Sequence, residues 1–215
     1  KEYRFELVHC HTPVGAVYGR MAARKYRKNG TRVFYTAHGF HFYKGAPLLF
    51  WLLLYPVERM LAHCTDTLIT INEEDYRNAC KFILGKRDGR RGKACKINGV
   101  GIDLERYGCA PGIRERMRAE FGIPQDVFVL ISVGELNRNK NHRVVVDALG
   151  RLKNKNIHYV ICGEGEERDV LTRQAECLGL GDSVTLTGFR TDIPELLSMA
   201  DGMVFPSLRE GLGVV

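Results

Sequence analysis

The sequence has no D-x-D triplet, no C-x-x-C pair, no G-x-G-x-x-G loop and no apolar run longer than Ala46 to Val57. Each absence removes a class. Without D-x-D there is no ready acid pair for a divalent metal. Seven cysteines, an odd number with no close spacing, make a poor disulfide framework: Cys10, Cys64, Cys80, Cys95, Cys109, Cys162 and Cys177. Several lie in apolar runs, and they are expected to be reduced thiols of a cytoplasmic protein. The stretch GEGEER carries Arg168 where a dinucleotide loop needs its third glycine, which weakens an NAD reading. The run APLLFWLLLYPV is too short to cross a bilayer. Two readings stay open for it: a buried helix, or an interfacial membrane contact helped by Trp51, Tyr55, Lys44 and Arg59. KEYRFELVHCH reads as a strand, not a secretory leader. No short-period repeat or low-complexity tract is visible.

What is present is alternation. Apolar strand-like runs at 5–11, 32–38, 66–72 and 94–99 are separated by helical stretches, one of which ends at Gly30. Then LERYGCAPG reads as a linker, with Pro111 and Gly112 as breakers. A second series has strands at 128–134, 157–163, 183–189 and 202–206, with Asp192 expected to cap the helix before the last. Strands apolar throughout, alternating with helices, predict parallel sheets covered on both faces. The fold class is therefore α/β, with a first domain at 1–104, a linker at 105–115 and a second domain at 116–215. Charge follows the same division. The total is +7, but residues 1–104 hold 18 Lys/Arg against 9 Asp/Glu, and 105–215 hold 14 against 16. A basic first domain suits nucleic acid, an anionic membrane surface or a phosphorylated substrate. Its cations are scattered over helices and the KRDGRRGK turn with no interleaved aromatics, which argues against nucleic acid.

Open parallel sheets bind ligands beyond the carboxyl ends of their strands. In the second series those positions read GELNRNKN, GEGEER, GFR and PSLREGLG. Glycine lets backbone N–H groups approach an anion, and Arg138 and Lys140 add full charge. The set suits a diphosphate; ordinary capped turns are the competing reading. In the first series, TAHGFHF places His38 and His41 where a strand leaves its sheet, either at a site or simply packed. His9 and His11 alternate on a strand and share a face, but no third metal ligand is evident.

Together these segments resemble the retaining glycosyltransferases of family 4, which have the GT-B fold. VHCHTP, YTAHGF, INGVGID, VGELNRNKNH, VICGEGEER and VTLTGFRTDIPELLSMADGMVFPSLREGLG fall in the family's order. The likeness is strongest to bacterial capsule and exopolysaccharide enzymes. It implies two Rossmann-like domains. PSLREGLG matches the start of the family's E-x7-E signature, with Glu210 as its first acid. The second would fall at position 218, so the chain is expected to be an internal piece of a longer enzyme, truncated in both domains and inactive alone.

By resemblance, Lys140 contacts the donor's diphosphate, with Arg138 beside it. The family often has arginine where Glu135 stands, so Arg138 is expected to substitute for it. Phe189 and Arg190 match the segment whose backbone reads the base, and Glu164 lies in a loop facing the pocket. Glu210 contacts the sugar hydroxyls. The amides of Gly211, Leu212 and Gly213 reach sugar and phosphate, Gly134 opens the cationic loop, and His38 faces the sugar. The implied reaction moves a sugar from a nucleoside-diphosphate sugar, most often a UDP-sugar, to a glycan or lipid-linked acceptor. No cofactor and no metal are expected. The expected location is cytoplasmic, with peripheral contact at the inner membrane face through 1–104. The alternative is a nucleotide-sugar-binding module without activity.

Overall fold

The computed structural model describes residues 5–99, 101–108, 111–152 and 156–215. Lys1–Arg4, Cys109, Ala110 and Lys153, to which the sequence assigned strand, linker or helix roles, and Val100 of the INGVGID segment lie outside the described residues. The chain divides into two compact units: residues 1–101 with 210–214, and residues 102–209 with 215.

The first unit contains, in chain order, β1 (Leu7–His11), α1 (Pro13–Ala23), β2 (Arg32–Ala37), α2 (Leu48–Ala62), β3 (Thr67–Thr70) and α3 (Glu73–Ala79). A hairpin of β4 (Lys86–Arg87) and β5 (Arg90–Arg91) follows, then β6 (Lys93–Lys96). Its four-stranded sheet is parallel throughout, in the order β1-β2-β3-β6. Local chemistry sets the boundaries. α1 starts at a proline, whose missing N–H costs nothing there. α3 opens at Asn72, which accepts from the Asp75 N–H, and three acids occupy its positive end. The helix expected to run to Gly30 stops at Ala23. A 3-10 turn, Tyr26–Asn29, follows, and Gly30 closes that turn in a left-handed conformation. Asp88 and Gly89 both have positive φ, as a tight hairpin turn requires.

The buried-helix reading of α2 holds for one face only. Trp51, Leu54 and Tyr55 pack on the core of Tyr35, Phe40, Phe42 and Phe82. Leu48 with Leu52 and Leu49 with Leu53, each pair four apart, form an exposed face together with Met60. Inside, Glu58 binds Arg20 at 2.8 Å, with both side chains almost fully buried. The Arg20 guanidinium lies over the Tyr35 ring.

The second unit holds α4 (Ile113–Glu120), β7 (Phe128–Val133), α5 (His142–Leu152), β8 (Ile157–Cys162), α6 (Arg168–Cys177), β9 (Val184–Gly188), α7 (Ile193–Met199) and β10 (Gly202–Met203). Its sheet is also parallel, in the order β10-β7-β8-β9. The pleat explains why its strands are apolar throughout. Val160 and Cys162 of β8 join a core with Met117, Leu196 and Met199 on one face. Tyr159 and Ile161 join Val146, Leu149 and Leu171 on the other. Asp192 does precede α7, but its carboxylate caps nothing; it takes two bonds from Arg190, at 2.5 and 2.8 Å.

Candidate functional site

In the second sheet the strand order reverses between β10 and β7, so a crevice is expected beyond their carboxyl ends. The loops that leave the sheet there are laced together. The Leu136 N–H donates to the Glu164 carbonyl at 2.8 Å, and the Glu167 N–H donates to the Leu136 carbonyl at 2.9 Å. That approach needs glycine: a Cβ on Gly163 would lie 1.9 Å from the Gly134 oxygen, and one on Gly165 2.4 Å from the Leu136 oxygen. On the other side, Asn139 bonds both ways with the chain after β10. Its amide donates to the Arg209 carbonyl at 2.9 Å, and its carbonyl accepts from the Leu208 N–H at 2.8 Å. Asn141, in the left-handed region, donates to the Pro206 carbonyl. The Asn137 side chain receives the Lys140 N–H and donates to the exposed Glu135 carboxylate.

Lys140 is positioned by this lacing. A Cβ on Gly134 would sit 3.1 Å from the Lys140 side chain, and the ammonium lies 5.1 Å above the Phe205 ring. Arg138 is exposed on the same loop. Glu164 pairs with Arg168 at 3.6 Å and lies against Gly188, just before the largely exposed Phe189. The Arg190 guanidinium is held by Asp192 and by Glu120 at 3.0 Å. Beneath the loop, His142 is buried against Ser132 and the Tyr159 hydroxyl, and burial pulls its pKa below the usual histidine range. Gly134, Arg138, Lys140, Glu164, Phe189 and Arg190 thus all follow strand ends of one sheet. The sequence reading missed Phe205 and the three asparagines; alternate asparagines in NRNKN were the available signal.

In the first unit, His38 follows β2 and its Nε2 lies 3.1 Å from Nδ1 of His11. His9 lies beside His11, with ring centroids 4.2 Å apart and the rings tilted, and contacts Thr36 at 2.9 Å. Burial first, then the neighbouring His11 and His38, pull the His9 pKa down. The H-x-H pair does share a face, but among the described residues no three ligand-type side chains could hold a metal. His41 sits apart, edge-on to Phe50. Glu210, Gly211, Leu212 and Gly213 belong to this unit. Gly211 lies against the His38 carbonyl and accepts from Asn72, and Leu212 packs on Gly99.

Two parallel α/β units with a cationic, glycine-dependent loop at the switch point define a GT-B type of protein. The chain belongs to the glycosyltransferases: residues 1–87 match the model described as Glycosyltransferase Family 4, and residues 113–215 match Glycosyl transferases group 1. It is 46% identical over 215 residues to EpsD, a provisionally assigned glycosyltransferase of Bacillus subtilis (strain 168), covering 99% of this chain and 55% of that protein. It is 30% identical over 221 residues to the Escherichia coli UDP-Gal:alpha-D-GlcNAc-diphosphoundecaprenol alpha-1,3-galactosyltransferase, covering 99% and 54%. The chain therefore spans about half the length of these relatives. Among solved structures, Anabaena Alr3699/HepE in complex with UDP and glucose superimposes with a TM-score of 0.77 at 22% identity, over 97% of this chain and 55% of that one. Sucrose-phosphate synthase of Thermosynechococcus elongatus gives 0.75 at 18%, over 99% and 53%. At these identities the structural likeness concerns the fold.

Proposed function

We propose that the enzyme containing these residues transfers a glycosyl unit, with retention, from a UDP-sugar to a lipid-linked or polysaccharide acceptor in cell-surface glycan synthesis. The observation that carries this reading is the laced loop that aims Lys140 at the switch point of the second sheet. The bond from the sugar's anomeric carbon to the donor phosphate breaks, and one to the acceptor oxygen forms. The acceptor's proton passes to the leaving phosphate on the same face, so no side-chain nucleophile is needed. Charge growing on the diphosphate meets Lys140, Arg138 and backbone amides that are already in place. His38, Glu210 and the amides of 211–213 are assigned to the sugar, and Phe189 and Arg190 to the base through their backbone. The chain has no D-x-D triplet and sets cations on this loop, so the reaction is assigned no metal. The relative that acts on a diphosphoundecaprenol acceptor supports the acceptor class. The exposed apolar face of α2 supports peripheral contact with the inner membrane face through residues 1–104.

The test is turnover of UDP-sugars by a chain extended to the length of its relatives, with and without excess chelator. Retained anomeric configuration and unchanged rate in chelator are expected. Inversion would remove the retaining assignment, and abolition by chelator with rescue by Mg²⁺ would remove the metal-free one. Failure of every UDP-sugar, with another nucleotide sugar used, would reassign the donor.

A further inference from the structure

A cavity of about 1090 Å³ lies in the first unit, away from every residue assigned above to the nucleotide sugar. It is lined by Gly30 ahead of β2, by His63 and Cys64 ahead of β3, and by the β4 hairpin ahead of β6. Because the sheet is parallel, these positions all mark its amino-terminal edge. His11 and His38 mark the opposite, carboxyl edge. The lining is strongly one-signed: Arg24, Arg27, Lys28, Arg59, Lys86 and Arg87 face it, with Asp88 as the single carboxylate.

Helix ends alone do not account for these cations. The carboxyl ends of α1 and α2 point to this region, and one cation there would be ordinary. Arg27 fills that role: it donates to the His63 carbonyl and forks onto Asp66. Arg24, Lys28, Arg59 and Lys86 form no ion pair among the described residues and are exposed. Arg87 reaches over Gly30, and its Nη1 is buried without a hydrogen-bond partner among the described residues. Its ion pair to Asp88 is long at 3.4 Å and ends on a carboxylate that is almost wholly in solvent. A buried guanidinium nitrogen left unsatisfied is costly, and an anion seated beside it would remove that cost. Guanidinium groups fit phosphate oxygens in two-pronged fashion, and lysines add charge without fixed geometry. Met21, Pro56 and Met60 supply an apolar wall to the same cavity.

We propose that this cavity is a second anion site, separate from the donor site, which binds a phosphate-bearing ligand of at least two negative charges through Arg59, Arg87, Lys28 and Lys86. The ligand is either a soluble phosphate compound or the headgroup of an anionic phospholipid. The two sources are distinguished by inorganic pyrophosphate, titrated calorimetrically, and by vesicles of phosphatidylglycerol against phosphatidylcholine, read by sedimentation. Both are applied to the 215-residue chain and to its Arg59→Ala, Arg87→Ala and Lys140→Ala variants. Loss of a charge-assisted contact should weaken binding about tenfold or more. A drop of that size for pyrophosphate in Arg59→Ala and Arg87→Ala, surviving Lys140→Ala, establishes the site with a soluble ligand. The same pattern seen only with phosphatidylglycerol vesicles establishes it with a lipid headgroup. The proposal is overturned if the parent binds neither probe, if both pocket variants bind as the parent does, or if Lys140→Ala alone removes binding. Circular dichroism checks folding. Should Arg87→Ala misfold, Lys28→Ala and Arg59→Ala, both at exposed positions, decide the matter.

Discussion

Single residues of this chain act mainly through what holds them. Lys140 is the clearest instance, since its loop, its stem and its ammonium each have a partner. On the proposed assignment, replacing it with alanine in a chain extended to the length of its relatives removes a charge-assisted phosphate contact worth roughly 1.5–3 kcal/mol. The expected result is a fall of about tenfold to over a hundredfold in kcat/KM for the nucleotide sugar. A change under threefold would remove Lys140 from the diphosphate site. Arg138→Ala should cost less, unless it compensates for the acid at Glu135. A second residue, Asp201, is structural. It receives Arg118 at 2.7 Å, Arg114 at 2.5 Å and the Val129 N–H at 2.7 Å. Burial pushes its carboxyl up, but the Val129 N–H and the two guanidinium groups outweigh burial and hold it below the usual carboxylate range. A depressed folded value stabilises above the unfolded pKa, and that contribution vanishes as pH falls through the folded one. Asp201→Asn should cost about 2 kcal/mol near neutrality, because Arg118 is wholly buried and loses its anion. The difference from the parent should shrink in strong acid. Urea titrations across pH test both; an equal gap at all pH values would show that the carboxylate charge contributes nothing.

Elements were legible wherever periodicity and punctuation agreed. Strands β2, β7 and β8 fall within the runs expected of them, because each is apolar on both pleat faces and ends at a polar or glycine-rich turn. The helix break at Ala23 was not legible, since RKYRKN suits an α-helix as well as a 3-10 turn. Nor was the open face of α2, because an apolar residue looks the same in sequence whether buried or exposed. Asp192 was misread as a cap because its true partner, Arg190, competes two residues away for the same oxygens. Site positions after strand ends were readable from topology rules alone, while the asparagine lacing depends on contacts some 65 to 70 residues apart. At this scale Gly163→Ala is the informative change. A Cβ there meets the Gly134 oxygen at 1.9 Å, so the loops after β7 and β8 must part. The expected outcome is a lower melting temperature, by several degrees for a loss of 1–2 kcal/mol. Gly181→Ala meets open space and should melt like the parent. Equal melting of the two variants would mean that the loops tolerate separation.

For the molecule as a whole, the uneven charge foreseen from sequence acquires a location. No described helix is long and apolar enough to cross a membrane. The face of Leu48, Leu49, Leu52, Leu53 and Met60 is nevertheless open on the basic unit. Leu52→Glu with Leu53→Glu should weaken binding to anionic vesicles severalfold without unfolding the unit, since both positions are already exposed. Raising salt should weaken parent binding as well. Binding unaffected by both changes would separate α2 from any membrane role.

The position of β10 has a kinetic consequence. Its two paired residues lie beside β7, yet the chain reaches them only after completing β8 and β9 on the other side. Gly202 pairs with Leu130 across 72 positions of sequence, so this closure carries the largest loop entropy in its sheet and gains the fewest ladder bonds. β7 with β8 should therefore form the early nucleus, and β10 should dock last and open first. Amide exchange should record that order, with slow exchange at Ile131 and Ile161 and fast exchange at Val204, whose N–H bonds to Ile131. The chain segment that carries Phe205 and Asn139's partners would then be the last part of the second unit to become native.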